Sequence, residues 1–254
     1  MAVLSVDLAY RRWSDLGIAI LSRVATGAPV ACELISWDGS DLEDEHKGKP
    51  VHAEILAGRL NHLANARGIR VLLLDGPQAW KSEGNGLAHS RLSERQLNTA
   101  AKTGLPGMVK PATYRTFAEF CVDVYDALCR RGWKRLATHL QPGAGPERVL
   151  VESYPHAAWR SLGLPSLPSK RRARVSDLAA SFASLQALVP FTVNRPPNHD
   201  QLQAIVGGLP GLALEAEDTT GARFVGEPPR REEGHWREGF IVLPAPPPAP
   251  TGRA

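Results

Sequence analysis

The chain has 254 residues, 43% of them apolar and 22% charged, with a formal net charge of +4. That is enough chain for a full hydrophobic core and an ordinary globular composition. No apolar run approaches the ~20 residues needed to cross a bilayer, so no membrane partner is expected. The positive excess is mild and permits a nucleic-acid partner without requiring one. The opening stretch MAVLSVDLAYRRW carries an acid inside its only apolar segment, which makes a poor signal peptide, and a cytoplasmic protein is expected. Cys32, Cys121 and Cys129 show no C-x-x-C spacing and read as free thiols.

Residues 2–8, AVLSVDL, read as a buried strand ending near Asp7. Residues 15–24 and 30–36 are strand-like, bounded by turn residues, and short connections make the three an antiparallel meander. Residues 37–49 are a polar loop. Over 51–67, Val51, Ile55, Leu56, Leu60 and Leu63 recur at helical spacing, and Gly68 closes the helix. RVLLLDGP follows at 70–77. Its consecutive aliphatics show no alternation, as in a strand covered on both faces, and it stops at Asp75. Residues 81–112 are polar and glycine-rich with a short helix around 91–101. A clear helix spans 115–131, with Phe117, Phe120, Val124 and Leu128 on one side. A loop at 141–147 leads to VLVESYP, a buried strand over 149–155. Helices are expected over 175–189 and 198–215, late strands over 222–226 and 239–243, and a disordered Pro-rich tail over 244–254.

Three strands, a helix, then strand–helix–strand–helix is the order of a ribonuclease H-like fold. The expectation is therefore an α/β protein. It has a single ribonuclease H-like domain over 1–243, with a mixed five-stranded central sheet flanked by helices. Strands one and four would lie parallel with their C-terminal ends together, and ligands bind beyond such ends, which points at Asp7 and Asp75.

A two-metal phosphoryl-transfer site needs three or four converging carboxylates, because Mg²⁺ and Mn²⁺ prefer hard oxygen ligands. The candidates, both as catalytic residues and as metal ligands, are Asp7, Asp75, Glu152 and Asp200. A carboxylate inside an apolar strand is costly to bury unpaired, and a metal is one explanation of VLSVDLA and VLVESYP. Plainer explanations stand beside it. Asp before Gly is a common turn residue, Asp200 suits a helix cap, and Glu152 could pair with a buried arginine. His156 and His199 lie near the acids as proton shuttles or structural residues. The basic run Lys170, Arg171, Arg172 and Arg174 is either solvated surface or a phosphate-contacting, nucleic-acid-binding segment. Nucleotide-phosphate loops, a nucleophile elbow and zinc spacing are all missing.

Several segments resemble the domain of unknown function 429 family, a group of predicted ribonuclease H-like nucleases. They are VLSVDLA (3–9), VLLLDGPQAW (71–80), RLSERQLN (91–98), VLVESYPHAAWRSLG (149–163), SKRRAR (169–174) and NHDQLQAIVGGL (198–209). The resemblance implies metal-dependent attack on a phosphodiester of DNA or RNA, with Mg²⁺ or Mn²⁺ held by Asp7, Asp75, Glu152 and an acid of the late helix. That helix departs from the family pattern H-D-x-L-D-A: Gln203 stands where a second Asp is usual, leaving Asp200 as the substitute. Hence the second expectation, a catalytically degenerate module that binds nucleic acid or protein. A kinase of the actin-like kind is disfavoured, because YRRW rather than a Gly-rich loop follows strand one.

Overall fold

A computed structural model describes residues 1–25, 28–37, 48–138 and 147–246. The elements in chain order are β1 (Ala2–Asp7), β2 (Gly17–Ser22), β3 (Val30–Ile35), α1 (Ala53–Ala66), β4 (Val71–Asp75), α2 (Leu92–Leu97), β5 (Lys102–Thr103), β6 (Val109–Lys110), α3 (Arg115–Arg130), β7 (Lys134–Arg135) and β8 (Val149–Ser153). There follow α4 (Pro155–Ser161), α5 (Val175–Leu188), β9 (Phe191–Val193), α6 (His199–Glu215), β10 (Ala222–Val225), β11 (Arg230–Glu232), β12 (His235–Arg237) and β13 (Ile241–Pro244).

The predicted meander is present: β1, β2 and β3 pair antiparallel. As expected, β4 lies parallel to β1 and β8 parallel to β4. The central order is thus β3-β2-β1-β4-β8. The sheet is larger than the five strands predicted, with nine among the described residues. β9 extends it beyond β3, while β13 and β10 extend it beyond β8, and β7 pairs with the start of β8. The added strands are short. β7 and β9 have two and three residues, too few for a period-2 pattern to register in sequence.

The sheet is covered on both faces, which is why β4 reads as an unbroken aliphatic run. Val71 and Leu73 join Val3, Ala19, Leu21, Val149 and Val151 under α6. Leu72 and Leu74 join Leu4, Val6, Ile18 and Leu150 under α1 and α3. The helix α6 sits unusually close to its face. A Cβ on Gly208 would fall 2.7 Å from the Ser5 Cβ, and one on Gly211 would fall 2.4 Å from a Leu73 methyl. Glycine permits this approach.

The predicted strand over 149–155 ends earlier, at Ser153. Pro155 instead opens α4, where its fixed φ and missing N–H suit a first helical turn. α4 has seven residues, too short for a repeating apolar period to mark it in the sequence. The last strand ends at Pro244, one residue past the expected boundary. Residues 247–254 of the predicted tail lie outside the described residues, as do 38–47 of the polar loop and 139–146 of the loop before β8. All three cysteines are free thiols. No helix of the described residues is long and apolar enough to cross a membrane.

Candidate functional site

Asp7 and Asp75 are direct register partners at the C-terminal ends of β1 and β4. Both point to the α6 face, following Val3 and Ser5 on one strand and Val71 and Leu73 on the other, because side chains alternate with period two. Their carboxyl groups come within hydrogen-bonding reach of each other. Burial, then the charges of Asp75 and Asp200, hold the Asp7 carboxyl well above the usual carboxylate range. Burial likewise pushes Asp75 up to about 7, against the hydrogen bond from Asp7, and with the Glu152 charge adding to the push. Two adjoining carboxylates in a desolvated place cannot both ionise without a cation, so the pair shares a proton.

Glu152 is not part of this pair. The residue in register with Asp75 on β8 is Ser153. Glu152 precedes it and therefore points to the opposite face, under α3; a shift of one residue along a strand changes the side of the sheet. There it is fully engaged. Arg91 donates to both of its oxygens at 2.6 Å, and the Gln78 backbone N–H donates at 3.0 Å. Burial pushes the Glu152 carboxyl up and Arg91 pulls it back. The guanidinium resists its own burial because Glu152 and Glu94 hold it charged. Of the explanations the sequence allows, pairing with a buried arginine is the one that describes this side chain.

Arg91 precedes α2 and is itself positioned from three sides. Its backbone N–H donates to Glu94, whose carboxylate also accepts from its Nε at 3.2 Å and from Thr103. Leu92 N–H and Ser82 N–H both donate to the buried Glu238, which fastens the loop before α2 to the segment before β13. Sequence reasoning misses both Arg91 and Glu238. Each is one charge among several, in RLSERQLN and HWREGF, with no periodic context to set it apart.

Asp200 is the second residue of α6, and it does not cap the helix. Asn198 does: its side chain accepts from Gln201 N–H at 2.9 Å, and Gln201 returns the bond to Asn198 N–H at 3.1 Å. Asp200 is thereby left to face the acid pair, and its charge is felt by Asp7. Gly17, the register partner of Asp7, makes this possible. A Cβ there would fall 2.0 Å from the Asp200 carbonyl oxygen. Gly17→Ala is expected to force α6 off β2, costing about 1–3 kcal/mol as overpacking does, and to lower the melting temperature measurably in calorimetry.

Lys170 donates to Asp200 and, at 2.9 Å, to Asp15. Burial works against its charge, but these two carboxylates outweigh it and raise its pKa. The His199 ring lies 3.1 Å from Asp200 and 3.0 Å from the Pro168 carbonyl. The rest of the basic segment, Arg171, Arg172 and Arg174, is exposed. Gln203 turns elsewhere: its side-chain oxygen accepts from the Trp159 indole N–H at 2.9 Å. Among the described residues, no group of three or more His, Cys, Asp or Glu side chains stands ready to hold a metal ion. Of the four acids read from sequence, two are together, Asp200 adjoins them tied to Lys170, and Glu152 is on the far side of the sheet.

Next to Asp75 the strand ends open into a cavity of about 330 Å³. Nothing in the sequence announces it, because much of its wall comes from the glycine-rich stretch that reads as loop.

No family model matches the chain and no curated protein matches it, so the resemblance drawn from its motifs finds no support there. Among solved structures it is similar to RuvC of Thermus thermophilus at 10% identity and a TM-score of 0.40, over 85% of this chain and 96% of that one. It is also similar to T. thermophilus RuvC in complex with Holliday junction substrate, at 10% identity and a TM-score of 0.36, over 86% of this chain and 97% of that one. Values this low say nothing about the chemistry of the present site.

Proposed function

We propose that the chain is a metal-dependent phosphodiesterase acting on DNA or RNA, with Asp7 and Asp75 at its centre. The observation that supports this is the carboxylate pair itself: two acids in register at the ends of adjacent parallel strands, half-buried and within hydrogen-bonding reach of each other. The donor chemistry fits Mg²⁺ or Mn²⁺, which favour hard carboxylate oxygens. Asp7 and Asp75 would hold the ion, and Asp200 would join them once Lys170 releases it. A bound divalent ion would supply charge stabilisation at the phosphate and an acidified water. Asp7 and Asp75 would give up their shared proton to hold such an ion. Lys170, released from Asp200, would keep Asp15 at 2.9 Å and lend its charge to the phosphate beside it. Glu152 and Arg91 hold β8 and α2 in place beneath the site.

Cleavage of labelled DNA and RNA with Mg²⁺ or Mn²⁺ tests the reading. Asp7→Asn is expected to lower the rate by on the order of a thousandfold, as loss of a key electrostatic group does, with the fold intact by circular dichroism. Cleavage that survives Asp7→Asn unchanged would assign the activity to a contaminant or to another site.

A second reading, a nucleic-acid-binding module without catalysis, is favoured by two observations: Lys170 already neutralises Asp200, and Gln203 serves Trp159 rather than the acids. In both readings the exposed arginines beside Lys170 contact phosphate. Replacing Arg171, Arg172 and Arg174 by Ser should flatten the slope of log affinity against log salt, by roughly 0.7–0.9 for each phosphate no longer neutralised. An unchanged slope would return them to solvated surface.

A further inference from the structure

The cavity beside Asp75 has two kinds of wall. Tyr114 and Phe117 approach from the start of α3, and Tyr154 and His156 from the start of α4, with their own rings 5.9 Å apart. Asp75 and Ser153 lie at its inner edge. The Ser153 hydroxyl is buried and has no hydrogen-bond partner among the described residues. That hydroxyl packs beside Gly207 of α6 with no surface open to the cavity, so it is not offered to a ligand. Nor is the charged floor: Arg91 donates to both Glu94 and Glu152.

The combination selects a ligand chemistry. Aromatic rings from two separate elements line the space, which suits a flat group that can stack on them. The volume, about 330 Å³, is at the lower end for small-molecule pockets. It suits one base with its sugar, not a length of duplex. Resting on the phosphodiesterase reading above, we propose that this cavity takes one unstacked nucleobase beside the phosphate held at Asp7 and Asp75. The substrate is then single-stranded or locally unpaired nucleic acid. A base inside an intact helix cannot enter without the cost of unstacking, whereas a single strand presents its bases freely. Stacking on protein rings is tolerant of sequence, so the pocket reads exposure of a base rather than its identity.

The test is binding in the presence of a chelator, so that cleavage plays no part. Three fluorescently labelled probes are compared by anisotropy: a single-stranded oligonucleotide, the same strand made wholly of abasic sites, and its blunt duplex. The intact single strand should bind roughly tenfold more tightly than either of the others, the stacking contribution of one base. Tyr114→Ala removes a ring that is 44% exposed and so should leave the fold intact. Ala101→Trp fills the cavity from its wall. Each should abolish the preference and leave affinity for the abasic strand unchanged. Equal binding of intact and abasic strands, or a preference that survives both variants, would overturn the proposal. Its failure differs from failure of the phosphodiesterase reading. A base-dependent preference in a chain that cleaves nothing sustains the pocket and ends the nuclease reading. Cleavage that depends on Asp7 with no base preference does the reverse.

Discussion

Arg91→Met is expected to destabilise the protein by about 3–5 kcal/mol, the range for removing one partner of a buried ion pair. The arginine is 1% exposed and donates to two carboxylates, Glu152 and Glu94, that lie within the same dry layer. Methionine fills much the same space but leaves both acids without a counter-charge. Arg91→Lys should recover little, since a point charge cannot bond both oxygens of Glu152 as a planar guanidinium does. Glu152→Gln should cost less than Arg91→Met, because Glu94 still neutralises the arginine. Urea unfolding of the three variants checks the order. A cost below about 1 kcal/mol for Arg91→Met, the level of an exposed pair, would show that the pair is not the clamp described.

Asp75→Asn is expected to act in the opposite direction. The Asp75 carboxyl is pushed up to about 7 in the folded state, chiefly by burial, and its value in an unfolded chain is about 3.9. A carboxyl whose folded pKa is raised favours folding fully below its unfolded pKa, and that contribution is lost as pH rises through the folded pKa. In chelator, therefore, Asp75 weakens the protein progressively between about pH 4 and pH 7, by a few kcal/mol at about 1.4 kcal/mol per unit. Asparagine cannot ionise and escapes this loss. The melting temperature of Asp75→Asn should match the parent near about pH 4 and exceed it by several degrees near about pH 8. Added Mn²⁺ should raise the parent and leave the variant behind. A difference that does not vary with pH would mean that the acid is solvated rather than held, half-buried, against Asp7.

The parts of the fold legible in the sequence are those with long, one-sided or two-sided apolar patterns. RVLLLDGP marks a strand covered on both faces and VLSVDLA its partner, and the parallel pairing of the two places Asp7 beside Asp75. Glu152 shows where such reading stops. Whether an acid in VLVESYP points up or down depends on register with β4, and no feature of the segment itself reports that register. Arg91, the residue that decides the matter, lies 61 positions away. Asp200 resembles a cap because it stands at the start of a helix, yet Asn198 and Gln201 already satisfy the free N–H groups there. The cavity is illegible for a similar reason: its rings are spread over short stretches that only the tertiary fold assembles.

Calorimetric titration of Mn²⁺ into the parent and into Asp7→Asn tests the carboxylate pair most directly. If the pair is a cation site, the parent binds Mn²⁺ and releases the proton that Asp7 and Asp75 share, so the measured heat changes with the ionisation enthalpy of the buffer. Asp7→Asn should then lose at least about tenfold in affinity, as loss of an anionic ligand does, together with that buffer dependence. Equal titrations for the two proteins, or no saturable binding by the parent, would contradict the account.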